Sequence, residues 1–301
     1  MKSFFLLTYL FILAGLVTNS DDSCDCCSKC PSSYQGSCPE IKYVEGGLSG
    51  LGVLSRYWNC CKPTCASVEE AAIGNAPKLC DANMRRLFDY STKSKCEGGT
   101  ATTCISHVPF LIDGCDDIGF AYGVLPHGIP NYCGKCFLLE FTGEGHWTTK
   151  DTHRALKGKK LIIMGIHKGY SDDKTFEILV PAGGAGMYEG HCDGIFDVDL
   201  GAKYGGYLID CQGEAGMSDD VKSNTERKKC LIRKCTEGFT GQAREGCLFY
   251  AYFLEAAGNP DANYTEVECP QILKDNYWNI NYKIIRNNII SIIKNKKKLF
   301  G

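Results

Sequence analysis

The sequence predicts a mostly-β, disulfide-rich barrel with long loops and a few short helices. Three observations lead to this prediction: short apolar runs alternate with turn-forming residues between residues 54 and 270, and the chain carries 34 glycines and 20 cysteines. Many short strands separated by turns are typical of β-barrels and β-sandwiches. An even number of cysteines indicates a disulfide framework when the chain folds in an oxidising compartment.

The N-terminus predicts that compartment. Lys2 precedes an apolar run from Phe4 to Val17, and small residues follow, with a predicted cleavage point near Ser20. This pattern is typical of a secretory signal peptide, here residues 1–20. No later apolar run is long enough to span a bilayer. We therefore expect a secreted, extracellular protein without an integral membrane span, in which cysteines form disulfides in preference to a zinc site.

The balance of charge excludes some partners. The formal net charge is -2, so nothing in it indicates nucleic acid. The glycine-rich run Gly183–Gly186 lacks the Lys-Ser/Thr ending of a phosphate-binding loop, and we interpret it as a turn that lets backbone approach closely. We expect a monomer with no metal, nucleotide or redox cofactor.

Composition divides the rest of the chain into three segments. Residues 21–45 form a cysteine-rich lead-in, residues 46–270 the barrel domain, and residues 271–301 a basic tail rich in Ile, Lys and Asn that we expect to be poorly ordered. Within the domain, strands are predicted over residues 136–141, 160–164 and 176–180. A weakly helical patch covers residues 69–90, with Asp81 as a cap. Asn263 begins an N-glycosylation sequon, which fits a surface loop.

The most informative stretch runs from Ser55 to Cys65, with the sequence SRYWNCCKPTC. It places two aromatic residues, Tyr57 and Trp58, next to three cysteines that would fix the loop. One interpretation is a disulfide-pinned loop with a buried tryptophan. The other is a rigid platform whose aromatic faces stack on a sugar ring. The residues alone do not choose between them.

This stretch resembles the active-site signature of the glycoside hydrolase family 45 endoglucanases, S/T-R-Y-W-D-C-C-K-P-S-C. Further blocks resemble that family in the same order, over about residues 54–270. They include CDANMRRL from Cys80, FAYG from Phe120, GKKL from Gly158, FEILVPAGGAG from Phe176, GAKYGG from Gly201 and VECP from Val267. One such block would be weak evidence for the resemblance, whereas this many blocks in the same order are strong evidence.

The resemblance implies a six-stranded double-psi β-barrel with a groove for β-1,4-glucan, and hydrolysis with inversion. That chemistry needs a protonated carboxyl as acid and an ionised carboxylate as base, roughly 6.5–9.5 Å apart. The family's acid position corresponds to Glu177. The base position corresponds to Asn59, whose amide does not take up a proton near neutral pH. Asp172 and Asp173 are candidates for an assisting carboxylate.

The resemblance also implies contacts and disulfides. The expected substrate-binding residues are Arg56, Tyr57, Trp58, Lys62, Phe110 and Tyr170. The expected disulfides are Cys60–Cys192, Cys61–Cys96, Cys65–Cys133, Cys80–Cys104, Cys136–Cys269 and Cys211–Cys247. Eight cysteines have no expected partner: Cys24, Cys26, Cys27, Cys30, Cys38, Cys115, Cys230 and Cys235.

Three functions remain open at this point. The first is a secreted endo-β-1,4-glucanase, with activity reduced or lost by the change at Asn59. The second is a non-hydrolytic, expansin-like glucan binder on the same barrel. The third is a disulfide-rich interaction protein. Exposed rings at Tyr57, Trp58 and Phe110 would favour glucan binding, because stacking needs an open aromatic face.

Overall fold

The computed structural model describes residues 37–168, 172–215 and 221–278. The predicted signal peptide, most of the cysteine-rich lead-in, Tyr170 and the tail from residue 279 lie outside the described residues. Within them, no helix is both long enough and apolar enough to cross a membrane.

Eight strands and six α-helices make up the described chain. The strands are β1 (Ser49–Tyr57), β2 (Leu79–Cys80), β3 (Arg86–Leu87), β4 (Ile118–Leu125), β5 (Cys136–Gly145), β6 (Lys160–Lys168), β7 (Thr175–Leu179) and β8 (Pro260–Val267). The helices are α1 (Val68–Ala72), α2 (Asp151–Arg154), α3 (Gly206–Ala215), α4 (Val221–Gly238), α5 (Gly241–Tyr252) and α6 (Gln271–Tyr277).

Six of the strands close into a barrel in the order β1-β7-β4-β6-β5-β8. The pairs β1–β7 and β4–β6 are parallel, and the other four pairs are antiparallel. The predicted six-stranded barrel is therefore confirmed. The three strands predicted from apolar runs correspond to β5, β6 and β7.

Aromatic side chains fill the barrel interior. The ring of Phe137 on β5 lies 5.7 Å from that of Phe176 on β7, and both contact Tyr264 on β8. Because β5 and β7 are not neighbours in the sheet, this contact crosses the interior. The opposite face of β4 and β6 is also buried, against the loop around Phe110 and helix α6. Burial on both faces explains why these strands are almost continuously apolar.

Helices α3, α4 and α5 join the interior cluster, and the sequence did not predict them. Two disulfides staple them in chain order: Cys211–Cys230 links α3 to α4, and Cys235–Cys247 links α4 to α5. The expected pair Cys211–Cys247 is therefore wrong. The two cysteines of α4, which the resemblance left without partners, separate that pair and bridge each helix to the next.

The other five expected disulfides are present: Cys60–Cys192, Cys61–Cys96, Cys65–Cys133, Cys80–Cys104 and Cys136–Cys269. A further disulfide, Cys38–Cys115, ties the end of the lead-in to the barrel domain. The remaining four cysteines, Cys24, Cys26, Cys27 and Cys30, lie outside the described residues. Eight disulfides fit a chain that folds in an oxidising compartment.

Three local predictions need correction. Of the helical patch over residues 69–90 only α1 forms, because the carboxylate of Asp81 accepts the N–H groups of Asn83 and Arg85 and so caps a turn between β2 and β3. The domain does not end at residue 270, because Leu273 and Tyr277 of α6 are fully buried. The sequon residue Asn263 is exposed but lies within β8, not in a loop.

Candidate active site

Glu177 is the middle residue of β7 and lies at the centre of a row of paired residues. Its partner on β1 is Ser55, and its partner on β4 is Val124. Strands β4 and β7 approach closely here, since a Cβ on Gly123 would stand 2.0 Å from the Glu177 carbonyl oxygen. Only glycine fits there, and it allows β7 to lie where it presents Glu177.

The environment of Glu177 favours its protonated form. Burial raises the pKa of Glu177, and the negative charge of Asp172 raises it further. The neighbouring ring of Tyr57 responds to the same surroundings, because burial and the charge of Glu177 raise the pKa of its phenol. A carboxyl that keeps its proton at a pH above its ordinary pKa can act as a general acid.

Asp172 has the opposite character. Partial burial would raise the pKa of Asp172, but hydrogen bonds from Lys174 and Thr175 and the nearby His146 outweigh it and lower the pKa. Its Oδ1 accepts the backbone N–H groups of Lys174 at 2.9 Å and Thr175 at 2.6 Å. Its carbonyl accepts the N–H of His127 at 2.9 Å. Asp172 is thus an ionised carboxylate on an anchored turn, and its neighbour Asp173 is also exposed.

Asn59 lies two residues beyond the end of β1, in a loop held by disulfides on both following residues. Cys60 is bonded to Cys192 and Cys61 to Cys96. The side-chain oxygen of Asn59 accepts the backbone N–H of Cys61 at 3.1 Å. The side chain is half-buried. Its amide can orient a water molecule, but it cannot serve as a general base at neutral pH.

Two of the expected stacking rings are buried. Trp58 is 1% exposed and packs on Phe196, and Phe110 is 5% exposed and stacks on Phe120. Neither ring presents a face to solvent, so their expected role in stacking on a sugar is wrong for this structure. The interpretation of a disulfide-pinned loop with a buried tryptophan holds for Trp58.

The other expected substrate-binding residues have different surroundings. Arg56 and Lys62 are engaged by the protein: the Arg56 guanidinium donates to the carbonyl of Gly205 and lies 5.2 Å from the Tyr250 ring, and the Lys62 ammonium donates to two backbone carbonyls. Tyr57 is half-buried beside Glu177. Tyr170 lies outside the described residues.

The sequence analysis missed an exposed aromatic residue next to this site. Trp147 is 77% exposed, and its ring makes an edge contact with His146 at 4.8 Å. His146 lies near Asp172, whose pKa it helps to lower, and its Nδ1 is 3.5 Å from Asp261. No motif marks Trp147. The surrounding glycine, histidine and threonine residues predict only a loop.

The described residues contain no cluster of three or more His, Cys, Asp or Glu side chains placed to hold a metal ion.

Known sequences resemble this chain over most of the barrel domain. The sequence model of glycosyl hydrolase family 45 matches residues 51–277. Endoglucanase B of Cellvibrio japonicus is 34% identical over 237 residues, which cover 75% of this chain and 44% of that protein. A putative endoglucanase type K of Fusarium oxysporum is 31% identical over 232 residues, covering 75% of this chain and 52% of that protein. The chain thus spans about half the length of these two relatives.

A solved structure shares the fold. The crystal structure of a cellulase from the Antarctic springtail Cryptopygus antarcticus superposes with a TM-score of 0.56 and 27% sequence identity, covering 76% of this chain and 96% of that one. The residues matched by the family model include strand β7, which carries Glu177, and the end of β1 that leads into Asn59. The chain belongs to glycosyl hydrolase family 45.

Proposed function

We propose that this protein is a secreted endo-β-1,4-glucanase of the inverting type, with Glu177 as the general acid. The observation that carries the proposal is the contrast between two neighbouring carboxyls. The pKa of Glu177 is raised and that of Asp172 is lowered, so Glu177 holds its proton more tightly than Asp172 does. Pairs of carboxyls whose pKa values are pushed apart are typical of glycosidase sites.

The comparisons support the same substrate class. The family model covers most of the chain, and the relatives carry the names endoglucanase and, for the springtail protein, cellulase. The substrate of this chain would then be cellulose or a related β-1,4-glucan, bound by a monomer without cofactors.

In the proposed reaction, Glu177 donates its proton to the glycosidic oxygen as the bond to the anomeric carbon breaks. A water molecule attacks that carbon from the opposite face. Asn59 occupies the position of the family's base, and its side-chain oxygen, which already accepts the Cys61 N–H, has a second lone pair that can orient the water. Asn59 does not take up a proton, so the attacking water passes its proton to solvent as its oxygen bonds to the anomeric carbon. Losing a positioned general base costs about 10²–10⁴ in rate, so we expect slow turnover.

A non-hydrolytic, expansin-like glucan binder is the second candidate, and Asn59 is the observation that favours it. If the oriented water is not reactive enough, the protein binds glucan without cleaving it. The burial of Trp58 and Phe110 bears on a third candidate, the interaction protein, because it removes two of three expected stacking rings. Glucan binding would then depend on Tyr57 and on Trp147.

One assay separates these functions. The secreted chain is incubated with carboxymethylcellulose, and release of reducing ends is measured together with binding of the same polymer. The proposed function predicts slow release by the parent protein and a loss of at least about 10²-fold in Glu177→Gln. Binding without release by the parent would support the glucan binder. A folded protein that neither releases reducing ends nor binds would leave the interaction protein.

Export and modification belong to the same proposal. Eight disulfides and the endoglucanase relatives support secretion with residues 1–20 as the signal peptide. The exposed side chain of Asn263 can accept an N-glycan. Sequencing the N-terminus of the secreted protein and mass analysis before and after glycosidase treatment test both points.

A further inference from the structure

A histidine that no motif marks lies in the same row of the sheet as the proposed acid. Val124 of β4 pairs with Glu177 of β7 on one side and with His167 of β6 on the other. Residues that pair directly across strands project from the same face of a sheet. Two strand spacings separate the backbones of Glu177 and His167, which is about 9–10 Å.

A β-bulge brings His167 into this row. Gly123 pairs with Gly165 and the next residue, Val124, pairs with His167, so β6 carries one extra residue, Ile166, at this point. Ile162, Met164 and Ile166 are buried in the outer core cluster. In a regular strand, the residue after Ile166 would project from the face opposite to that of Ile162, Met164 and Ile166. The bulge therefore places His167 beside Val124 on the face that carries Glu177.

The imidazole is held in one orientation. Its Nδ1 lies 3.1 Å from the hydroxyl of Thr64, and the same hydroxyl oxygen accepts the backbone N–H of Lys168 at 2.7 Å. The Tyr132 hydroxyl also donates to this oxygen, at 3.4 Å. Because both lone pairs of the Thr64 oxygen then accept, the Thr64 hydroxyl proton points to Nδ1. The neutral ring then carries its own proton on Nε2.

The other ring nitrogen belongs to a side chain that is half-buried. Among the described residues Nε2 of His167 has no hydrogen-bond partner, and it is not one of the buried unsatisfied polar atoms. The ring edge contacts Tyr57 at 6.1 Å, and Tyr57 is close enough to Glu177 for the carboxylate to raise the pKa of its phenol. Tyr57 thus lies close to both Glu177 and His167, the two residues that pair with Val124.

We propose that His167 is a substrate-binding residue, whose Nε2–H donates a hydrogen bond to a hydroxyl of a sugar unit beside the glycosidic oxygen that Glu177 protonates. This inference rests on the proposed function, since it names a contact within the same groove. Thr64 is the positioning residue, because it fixes the tautomer and the ring without touching the sugar.

The test measures binding directly. Cellohexaose is titrated calorimetrically into a Glu177→Gln background, which removes turnover, and into the same background carrying His167→Phe or His167→Gln. Phenylalanine keeps a ring against Tyr57 but has no donor, whereas glutamine restores an N–H. One neutral hydrogen bond corresponds to roughly a threefold to tenfold change in affinity. We expect a loss of that size for His167→Phe and partial recovery for His167→Gln.

A second measurement excludes a purely structural role. The ¹⁵N resonances of the His167 ring, assigned by their absence in His167→Gln, should shift on addition of cellohexaose, and the unfolding temperature of His167→Gln should match that of the background. Binding by the background together with equal affinity in His167→Phe, or with unmoved ring resonances, would overturn the inference alone. No binding by a folded background would overturn the proposed function and the inference with it.

Discussion

The side-chain oxygen of Asn59 accepts the backbone N–H of Cys61 at 3.1 Å. An aspartate at the same position can accept the same hydrogen bond, because its Oδ1 is equivalent. The loop that carries position 59 is fixed by two disulfides and does not need the amide to keep its shape. An aspartate at position 59 would therefore keep the local structure of this loop.

The first prediction concerns that position. Asn59→Asp should raise the rate of reducing-end release, by up to about 10²–10⁴, because it restores an ionised group that can take a proton from the attacking water. Asn59→Ala is the matched control, since it removes the water-orienting amide and should lower any residual rate. An unchanged rate in a folded Asn59→Asp protein would show that another group acts as the base.

The second prediction concerns the pair Asp172 and Glu177. The charge of Asp172 helps to raise the pKa of Glu177, so Asp172→Asn should lower that pKa. Glu177 would then lose its proton at a lower pH. The alkaline limb of the profile of kcat/KM against pH, which reports the free enzyme's acid, should move to lower pH. The isosteric amide keeps the oxygen that accepts the Lys174 and Thr175 N–H groups.

Asp173→Asn is the control for this charge effect, because it removes an equal charge from the next residue on the same exposed turn. The alkaline limb should move less in this variant than in Asp172→Asn. Equal movement in both variants would point to a general effect of net charge and against a specific pairing of Asp172 with Glu177.

The third prediction concerns the exposed ring of Trp147. If glucan extends past Asp172, Trp147→Ala should weaken binding by roughly threefold to tenfold, in line with the energy of one aromatic contact. Stability should hardly change, because the side chain is 77% exposed. Tyr43→Ala is a suitable control, since Tyr43 is also exposed but lies near Val267, at the other end of the β5–β8 pair. Equal affinity in parent and Trp147→Ala would exclude this ring from the groove.

The sequence predicted the barrel better than the helices, and the reason lies in burial. Strands β5, β6 and β7 appear as apolar runs because a barrel strand covered on both faces needs apolar residues on both. The apolar periodicity of helix α4 is weak, since its buried face includes Asn224 and Arg227 as well as Leu231. These two polar residues are hydrogen-bonded to each other, with the Arg227 guanidinium donating to the Asn224 side-chain oxygen. Hydrophobic periodicity does not detect such a face.

The candidate site shows a similar limit. Blocks of sequence predict Glu177 and Asn59 as the acid and base positions, because residue type and order carry the chemistry. Exposure is a tertiary property, so the sequence could not tell that Trp58 is buried against Phe196 while Trp147 is open. His167 could not be found either, because its place in the row depends on a one-residue bulge in β6.

The last prediction tests whether the disulfides serve the site as well as the fold. Cys60–Cys192 closes a loop of 132 residues and adjoins Asn59, whereas Cys235–Cys247 spans 12 residues within the helices. On loop entropy, removing a link that closes about 100 residues costs about 4.7 kcal/mol, and one that closes about 15 residues costs about 3 kcal/mol. Replacing both cysteines of each pair by serine should therefore lower stability more for Cys60–Cys192, as measured by denaturant unfolding.

Activity should separate the two variants further. Without Cys60–Cys192 the loop at Asn59 loses one of its two anchors, so glucan turnover should fall by more than the folded fraction explains, because small misplacements at a reacting centre are costly in rate. The Cys235–Cys247 variant should keep its activity in proportion to the folded protein. Equal specific activity of the two folded variants would mean that Cys61–Cys96 alone positions Asn59.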